Sequence, residues 1–420
     1  MLKLARALLP CFAVLVGLLL TPANGAAVTG TWTRQTATGG DPADTFRGLS
    51  LRSQTAGFIA GGVANALNPT GTGSNYQLSG TSWALGPAYP TGTPFQFDVS
   101  NVDATHAWSV GNNASVEFWN GSTWSAQNSG QPTNGSITLR AVSFVRPLPG
   151  IYEGLAVGTA GAILYSNGTT WFDRTCGVPG PSCTHWTTNN LRDVFLLPDG
   201  HAWTVGLNGT ILYSTDLGQS WTAPVTNPAG GTAAQLFGVQ FLDDNNGWVV
   251  GATGGQPTPT KSWMLHTTDG GVHWTDVTPT GMALSLNAVS FTDANNGWIA
   301  ANDASPAFNG IVLNTSNGAA ATPTWSTTTV VPANGTPSVL FDIQMTDACH
   351  GWTAGQNRAL ASFSCPAPPA PSPTPSPSPG LPPTGAQPAG GTPSPLIPLL
   401  AAGLMATVAL GVVRRRRARG

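Results

Sequence analysis

Seven times between residues 57 and 356 the chain repeats one short phrase, and that repeat constrains the fold more than any other feature. The phrase is a small residue, a large and mostly aromatic one, two mostly apolar residues, and then glycine or a substitute. Its copies are GFIAGG (57–62), AWSVGN (107–112), GLAVGT (154–159), AWTVGL (202–207), GWVVGA (247–252), GWIAAN (297–302) and GWTAGQ (351–356). An alternating run precedes each: FRGLSL, FDVSNV, LRAVSF, LRDVFL, FGVQFL, LNAVSF and FDIQMT. After most comes another apolar stretch, such as AILYS or WMLHT, and a polar turn then leads to Trp83, Trp124, Trp171, Trp221, Trp274 or Trp325. Period-two alternation broken by Gly, Asn and Asp turns reads as four short strands per unit. A spacing of 41 to 53 residues between successive tryptophans is the size of a four-stranded propeller blade. The seventh unit lacks its tryptophan, and the unused strand Gly30–Arg34 carries Trp32. Paired with the last blade, that strand leaves no sheet edge open. The expected fold is all-β, a seven-bladed β-propeller over 26–365 whose N-terminal strand closes the last blade, with the tryptophans as packing residues.

Two of the polar turns are sharper than the rest. Ser214-Thr215-Asp216-Leu217-Gly218-Gln219-Ser220-Trp221 and Thr267-Thr268-Asp269-Gly270-Gly271-Val272-His273-Trp274 match the Asp-box, Ser/Thr-x-Asp-x-Gly-x-x-Trp. An Asp there accepts backbone N–H groups of its own turn, and Gly supplies positive φ. Asp-boxes occur in sialidases, sortilin-like receptors and photosystem II stability-factor-like propellers. With DANNGWIAA beside HTTDGGVHW, residues 30–365 resemble the last group. The resemblance speaks for fold far more than for function, because one architecture hosts many activities.

The two ends read as targeting segments. Residues 1–25 place Lys3 and Arg6 before an apolar run and then small residues, the layout of a secretory signal peptide. Residues 366–380 are a proline-rich stretch, an extended polyproline II stalk. Leu381-Pro382-Pro383-Thr384-Gly385 follows, then an apolar run over 396–413 and a basic tail over 414–420. The run is long enough to span a bilayer, and the arginines hold its end on the cytoplasmic side. This order resembles the sorting signal of sortase-anchored wall proteins of Gram-positive bacteria, with Leu381, Pro382, Thr384 and Gly385 at its four fixed positions. The resemblance implies cleavage between Thr384 and Gly385 and transfer of Thr384 to the cell wall. The partners it implies are a sortase and the wall, with the membrane touched only through the anchor segment. A plain single-span anchor is the alternative, and it also faces outward.

Without these ends the charge balance changes. Of 16 Lys and Arg, two precede residue 26 and five follow residue 413, leaving nine against 18 Asp and Glu. So acidic a domain has no basic face for nucleic acid. Four cysteines remain, Cys176, Cys183, Cys349 and Cys365, and an even count in an exported domain suggests disulfides. Local pairing is simplest, 176 with 183 and 349 with 365. Two distant pairs without CxxC spacing do not make a zinc site, and neither a metal nor another cofactor is expected.

The loops sort onto two faces. Connections between first and second strands, and between third and fourth, are short. Those between second and third strands, and between blades, read as long and irregular: Val63–Asn75, Thr175–Asn190, Thr253–Ser262 and Asn302–Asn309. Binding sites favour loops on a rigid scaffold. On that face Trp186 and Trp263 fall outside the repeat, either as exposed stacking aromatics or as packing for their own loops. Arg47, Arg140 and Arg192 share one position at the start of the innermost strand in three blades. They either converge at the central channel to bind an anion or lie apart as surface arginines.

No nucleophile elbow, phosphate loop or metal-ligand spacing is present. The mature chain has only Glu117 and Glu153 as glutamates, and no spacing joins them to a tyrosine and an arginine triad as in sialidases. The leading expectation is a monomeric, wall-anchored, non-catalytic propeller that binds a protein or glycan. The rivals are a sialidase-like glycan-cleaving enzyme and an assembly or stability factor for an envelope complex.

Overall fold

A computed structural model describes residues 28–366 except 66–67, 133–134, 178–183, 232, 255–257, 304–308 and 331–337. Seven antiparallel sheets follow one another along the chain and form a seven-bladed β-propeller. The innermost strands are Thr45–Ser53, Gln96–Asn101, Leu139–Leu148, Leu191–Leu196, Ala234–Phe241, Ser285–Phe291 and Leu340–Asp347, one in each of blades 1 to 7. The repeat phrase is the second strand of each blade. Blade 7 is completed from the other end of the chain: Thr31–Arg34 pairs with Leu360–Ser364, with Trp32 opposite Phe363.

The blades adhere through aromatic stacks that explain the repeat. Trp108 of blade 2 stacks on Phe144 of blade 3 at 3.7 Å, Trp203 on Phe241 at 3.5 Å, and Trp248 on Phe291 at 3.9 Å. The closing tryptophan of the receiving blade then meets the same phenylalanine edge-on, Trp171 at 5.6 Å, Trp274 at 5.9 Å and Trp325 at 6.2 Å. Such pairs add about 0.5–1.5 kcal/mol each beyond the area they bury. The small residue of the phrase makes the stack possible, since a Cβ at Gly154, Gly247 or Gly297 would collide with the ring of Phe144, Phe241 or Phe291. Five of the closing tryptophans are buried, and Trp32 and Trp325 are half-buried.

Three expectations need correction. Blade 4 has three strands, not four; its outer segment makes a single bridge, Tyr213 to Thr222. Pro224 has no N–H to continue the ladder, and the chain turns instead to donate from Val225 and Thr226 to the Val272 carbonyl of blade 5. Val63–Asn75 is not an irregular loop. It belongs to a long hairpin, Ala56–Asn65 with Asn68–Ser79, still paired at Val63 with Thr72. The connections between second and third strands are long loops only in blades 5 and 6. In blades 2, 3, 4 and 7 they are tight turns with two successive left-handed residues: Asn113 and Ala114, Ala160 and Gly161, Asn208 and Gly209, Asn357 and Arg358. That is the geometry that joins twisted strands most directly.

Candidate functional site

The channel mouth is built by one backbone irregularity used seven times. Each innermost strand carries a β-bulge near its start, between Phe46 and Gly48, Gln96 and Asp98, Leu139 and Ala141, Leu191 and Asp193, Leu236 and Gly238, Leu286 and Ala288, and Leu340 and Asp342. A bulge leaves one residue out of the ladder and re-aims its side chain. Those seven residues, Arg47, Phe97, Arg140, Arg192, Phe237, Asn287 and Phe341, all line one cavity of about 610 Å³. The innermost strands start on the face of the inter-blade loops, so the cavity opens there.

The three arginines therefore do converge. Arg47 lies over the Phe341 ring at 3.7 Å, and Arg140 over the Phe97 ring at 4.1 Å. Burial lowers Arg47 to about 10, and the charges of Arg140 and Arg192 add to the effect. Burial and then Arg192 lower Arg140 to about 10 as well, and burial lowers Arg192. All three stay cationic at neutral pH. The Nε of each is buried without a hydrogen-bond partner, and among the described residues no carboxylate lies within ion-pair distance of any of them.

The aspartates beside them are already committed to the fold. Asp98 accepts the Val142 N–H of blade 3 at 2.8 Å, Asp193 the Val239 N–H of blade 5 at 2.8 Å, and Asp342 the Leu49 N–H of blade 1 at 2.6 Å. Each also accepts the N–H of its own following residue. Each stapled blade carries Gly or Ala at the matching position, Ala141, Gly238 and Gly48. In blade 6 the bulge residue does the stitching, as Asn287 donates to the Leu340 carbonyl at 2.6 Å. Burial outweighs these bonds and pushes Asp193 and Asp342 up to about 7; burial and then the Asp342 charge raise Asp98 well above the carboxylate range. The mouth is thus net positive, with guanidinium groups over aromatic rings, and can hold a carboxylate or another anion.

The remaining candidates lie elsewhere. Trp263 is not an exposed aromatic. It is 6% exposed in the core, bonded to the Thr253 hydroxyl at 2.7 Å and covered by the Lys261 ammonium. Trp186 is half-buried and donates to the Arg174 carbonyl at 3.1 Å. Both Asp-boxes satisfy themselves. Asp216 binds Ser214 and Ser220, with the Ser214 hydroxyl accepting from Gly218 N–H and the Trp221 indole donating to the Gly218 carbonyl. Asp269 binds Thr267 and His273, with Gly271 N–H on the Thr267 hydroxyl and Trp274 buried behind them. Cys349 and Cys365 form a disulfide. Cys176 is also disulfide-bonded, while Cys183 and the segment with Leu381, Pro382, Thr384 and Gly385 lie outside the described residues. Among the described residues no helix is long and apolar enough to cross a membrane.

Sequence reasoning alone does not single out the mouth aspartates, Asp98, Asp193 and Asp342, which lie inside the alternating runs that precede the repeat phrase. It also missed Phe97, Phe237, Asn287 and Phe341, although these share the register of the arginines. And it saw no cluster of metal-ligand type, whereas Asp199, His201 and Asp244 place ligand atoms within 4.8 Å of one another in an exposed group on the other face. His201 and Asp244 are 43 positions apart, and contact between blades at such separations leaves no spacing signature.

Comparisons with known proteins follow the fold. Residues 182–257 match the family described as Photosynthesis system II assembly factor YCF48. A solved structure described as YCF48 bound to D1 peptide is 15% identical, with a TM-score of 0.53 over 83% of this chain and 100% of that one. YCF48 from Cyanidioschyzon merolae is 14% identical, with a TM-score of 0.52 over 81% of this chain and 99% of that one. The GH74 xyloglucanase from Xanthomonas campestris is 12% identical, with a TM-score of 0.54 over 80% of this chain and 53% of that one. No curated protein matches by sequence. At these identities the structural likeness shows the fold, and with the local family match it makes this chain a β-propeller resembling the YCF48 assembly factors.

Proposed function

We propose that the propeller is a non-catalytic binding module whose channel mouth captures an acidic group of a protein partner. One observation carries this reading: three unpaired guanidinium groups, each with a buried, unpartnered Nε, meet in one cavity lined by aromatic rings. Guanidinium groups that lack a carboxylate partner beside a cavity favour a bound anion, which their N–H forks can hold with charge-assisted hydrogen bonds. The structure of YCF48 bound to D1 peptide supports a peptide as the kind of ligand. Export, sortase anchoring at Thr384 and display on the wall of a Gram-positive-type bacterium are part of the proposal and rest on the terminal sequences. A glycan carrying an acid is the second ligand class. Hydrolysis is the rival activity, favoured by Asp193 and Asp342, whose carboxyls are raised to about 7 at the same mouth.

The test is titration of the full chain with a peptide ending in a free carboxylate and with its C-terminal amide, beside a panel of chromogenic glycosides. Preference for the acid, weakened about tenfold or more by Arg47→Ala or Arg140→Ala, supports the proposal. Equal binding of acid and amide overturns it. Glycoside turnover lost in Asp193→Asn or Asp342→Asn would make the protein an enzyme.

A further inference from the structure

A second cavity of about 640 Å³ opens on the same face between blades 1 and 2. Its walls are the segment 40–44 entering blade 1, the distal part of the blade 1 hairpin, and the loop 86–93 leading to blade 2. Its electrostatics are opposite to those of the mouth. Among the described residues lining it, the charged ones are Asp41 and Asp44, and the other polar side chains are hydroxyls and the Asn75 amide.

The cavity is built from fixed groups. Asp44 is 2% exposed and held by the Tyr76 hydroxyl at 2.5 Å and the Ser74 hydroxyl at 2.9 Å. Asn75 is 1% exposed and donates to the Pro87 carbonyl at 2.8 Å, while its own carbonyl Oδ1 is buried with no partner. Thr93 is fixed from behind by Glu117 at 2.9 Å. An acceptor-rich, acidic hollow takes a hydrogen-bond donor that carries positive charge. A neutral sugar fits it less well. The aromatic residue in its wall, Tyr89, is 8% exposed, packs edge-on against Trp124 and spends its hydroxyl on Ser109, so it offers no ring face for stacking.

The two cavities are neighbours along the chain. Asp44 lies three residues before Arg47, and Thr93 four residues before Phe97. At about 3.3–3.6 Å per extended residue, each segment spans at most roughly 10–14 Å from one cavity to the other. We propose that the second cavity is a subsite for a cationic group, a lysine ammonium or an arginine guanidinium, on the partner whose acid enters the mouth. The ligand is then a peptide with an acid and a base about three or four extended residues apart. This rests on the reading of the mouth given above and adds to it the identity of a second group and its spacing.

The test uses the full chain and three forms of one peptide: a lysine about three residues before a free C-terminal carboxylate, the same peptide with its lysine acetylated, and the same peptide amidated at its C-terminus. Acetylation is expected to weaken binding about tenfold or more on the wild type and to have little effect on the exposed-site variant Asp41→Asn. Thr91→Arg, which places a guanidinium at the rim, is expected to weaken the lysine form alone. Amidation is expected to weaken binding to wild type and Asp41→Asn alike. Loss on acetylation without loss on amidation keeps this subsite and refutes the mouth as an acid site; the reverse keeps the mouth and refutes the subsite. A lysine effect that survives both variants, no binding of any form with the spacing varied from about two to six residues, or methyl glucoside displacing the peptide from this cavity would each overturn the inference.

Discussion

The two faces of the propeller handle charge in opposite ways. On the face of the short turns every prominent carboxylate is answered locally. Asp103 receives the Tyr152 hydroxyl at 2.6 Å, His106 at 2.9 Å and Thr105 N–H at 2.9 Å. Asp347 receives Gln54 of blade 1 at 2.7 Å and Cys349 N–H at 2.7 Å, and both Asp-boxes close on themselves. Among the described residues there, only the pair Asp199 and Asp244 meets like with like, and the hydrogen bond that Asp244 donates to Asp199 raises Asp244. On the opposite face, three guanidinium groups have no protein acceptor at their Nε. The carboxylates of the short-turn face are answered within the fold, whereas the three mouth arginines have no carboxylate within ion-pair distance among the described residues. The proposed binding role of the arginines rests on this difference.

The contrast can be broken most sharply by a double exchange. Arg47→Ala with Arg140→Ala should reduce binding of an acidic peptide about a hundredfold, while the melting temperature stays level or rises because mutual repulsion is relieved. A large fall in melting temperature would make these arginines structural. Asp103→Ala should do the opposite. It removes the hydrogen bonds of the half-exposed Tyr152 and His106, costs about 1–2 kcal/mol and leaves binding unchanged in the same titration. Asp269→Ala should cost about 1–2 kcal/mol by opening one Asp-box turn, read by denaturant unfolding; no loss would mean the box is ornamental.

The smallest expected effect is in pH dependence. Asp193 and Asp342 titrate near 7 in the fold and near 3.9 when unfolded. The native state then holds more protons between those values, so their contribution to stability falls as pH rises from about 4 to 7 and is level above. Asp216 and Asp269 are lowered in the fold, where hydrogen bonds from Ser220 and His273 outweigh burial. They stabilise above about pH 4 and lose that contribution as pH falls through their native values. Melting temperatures across pH 3 to 8 should show the first slope flattened in Asp193→Asn and the second weakened in Asp269→Asn. Identical profiles for both variants and wild type would contradict the assignment.

Much of this was legible in the sequence because it is local. Strand alternation, turn glycines and the tryptophan of each Asp-box are read within one blade, and the unpaired Trp32 strand fitted the one blade lacking its mate. The arginines were legible as equivalent positions, but their convergence was not, since a bulge decides which way a side chain at a strand's start points. The mouth aspartates were illegible for a related reason: their acceptors serve the next blade, about 45 residues away. The sequence leaves Trp263 open between stacking and packing because the loop before it is irregular, and the structure shows it packing from within the regular strand Lys261–Thr267.

Ring closure also sets an order in time. The strand Thr31–Arg34 is made first but has no partner until Leu360–Ser364 exists, and Gln35 bonds Ser362 across 327 positions. Contacts of such separation form slowly, because a long loop must close before they contribute. A chain emerging N-terminus first therefore assembles six blades while its opening strand waits, and the last hairpin completes the ring.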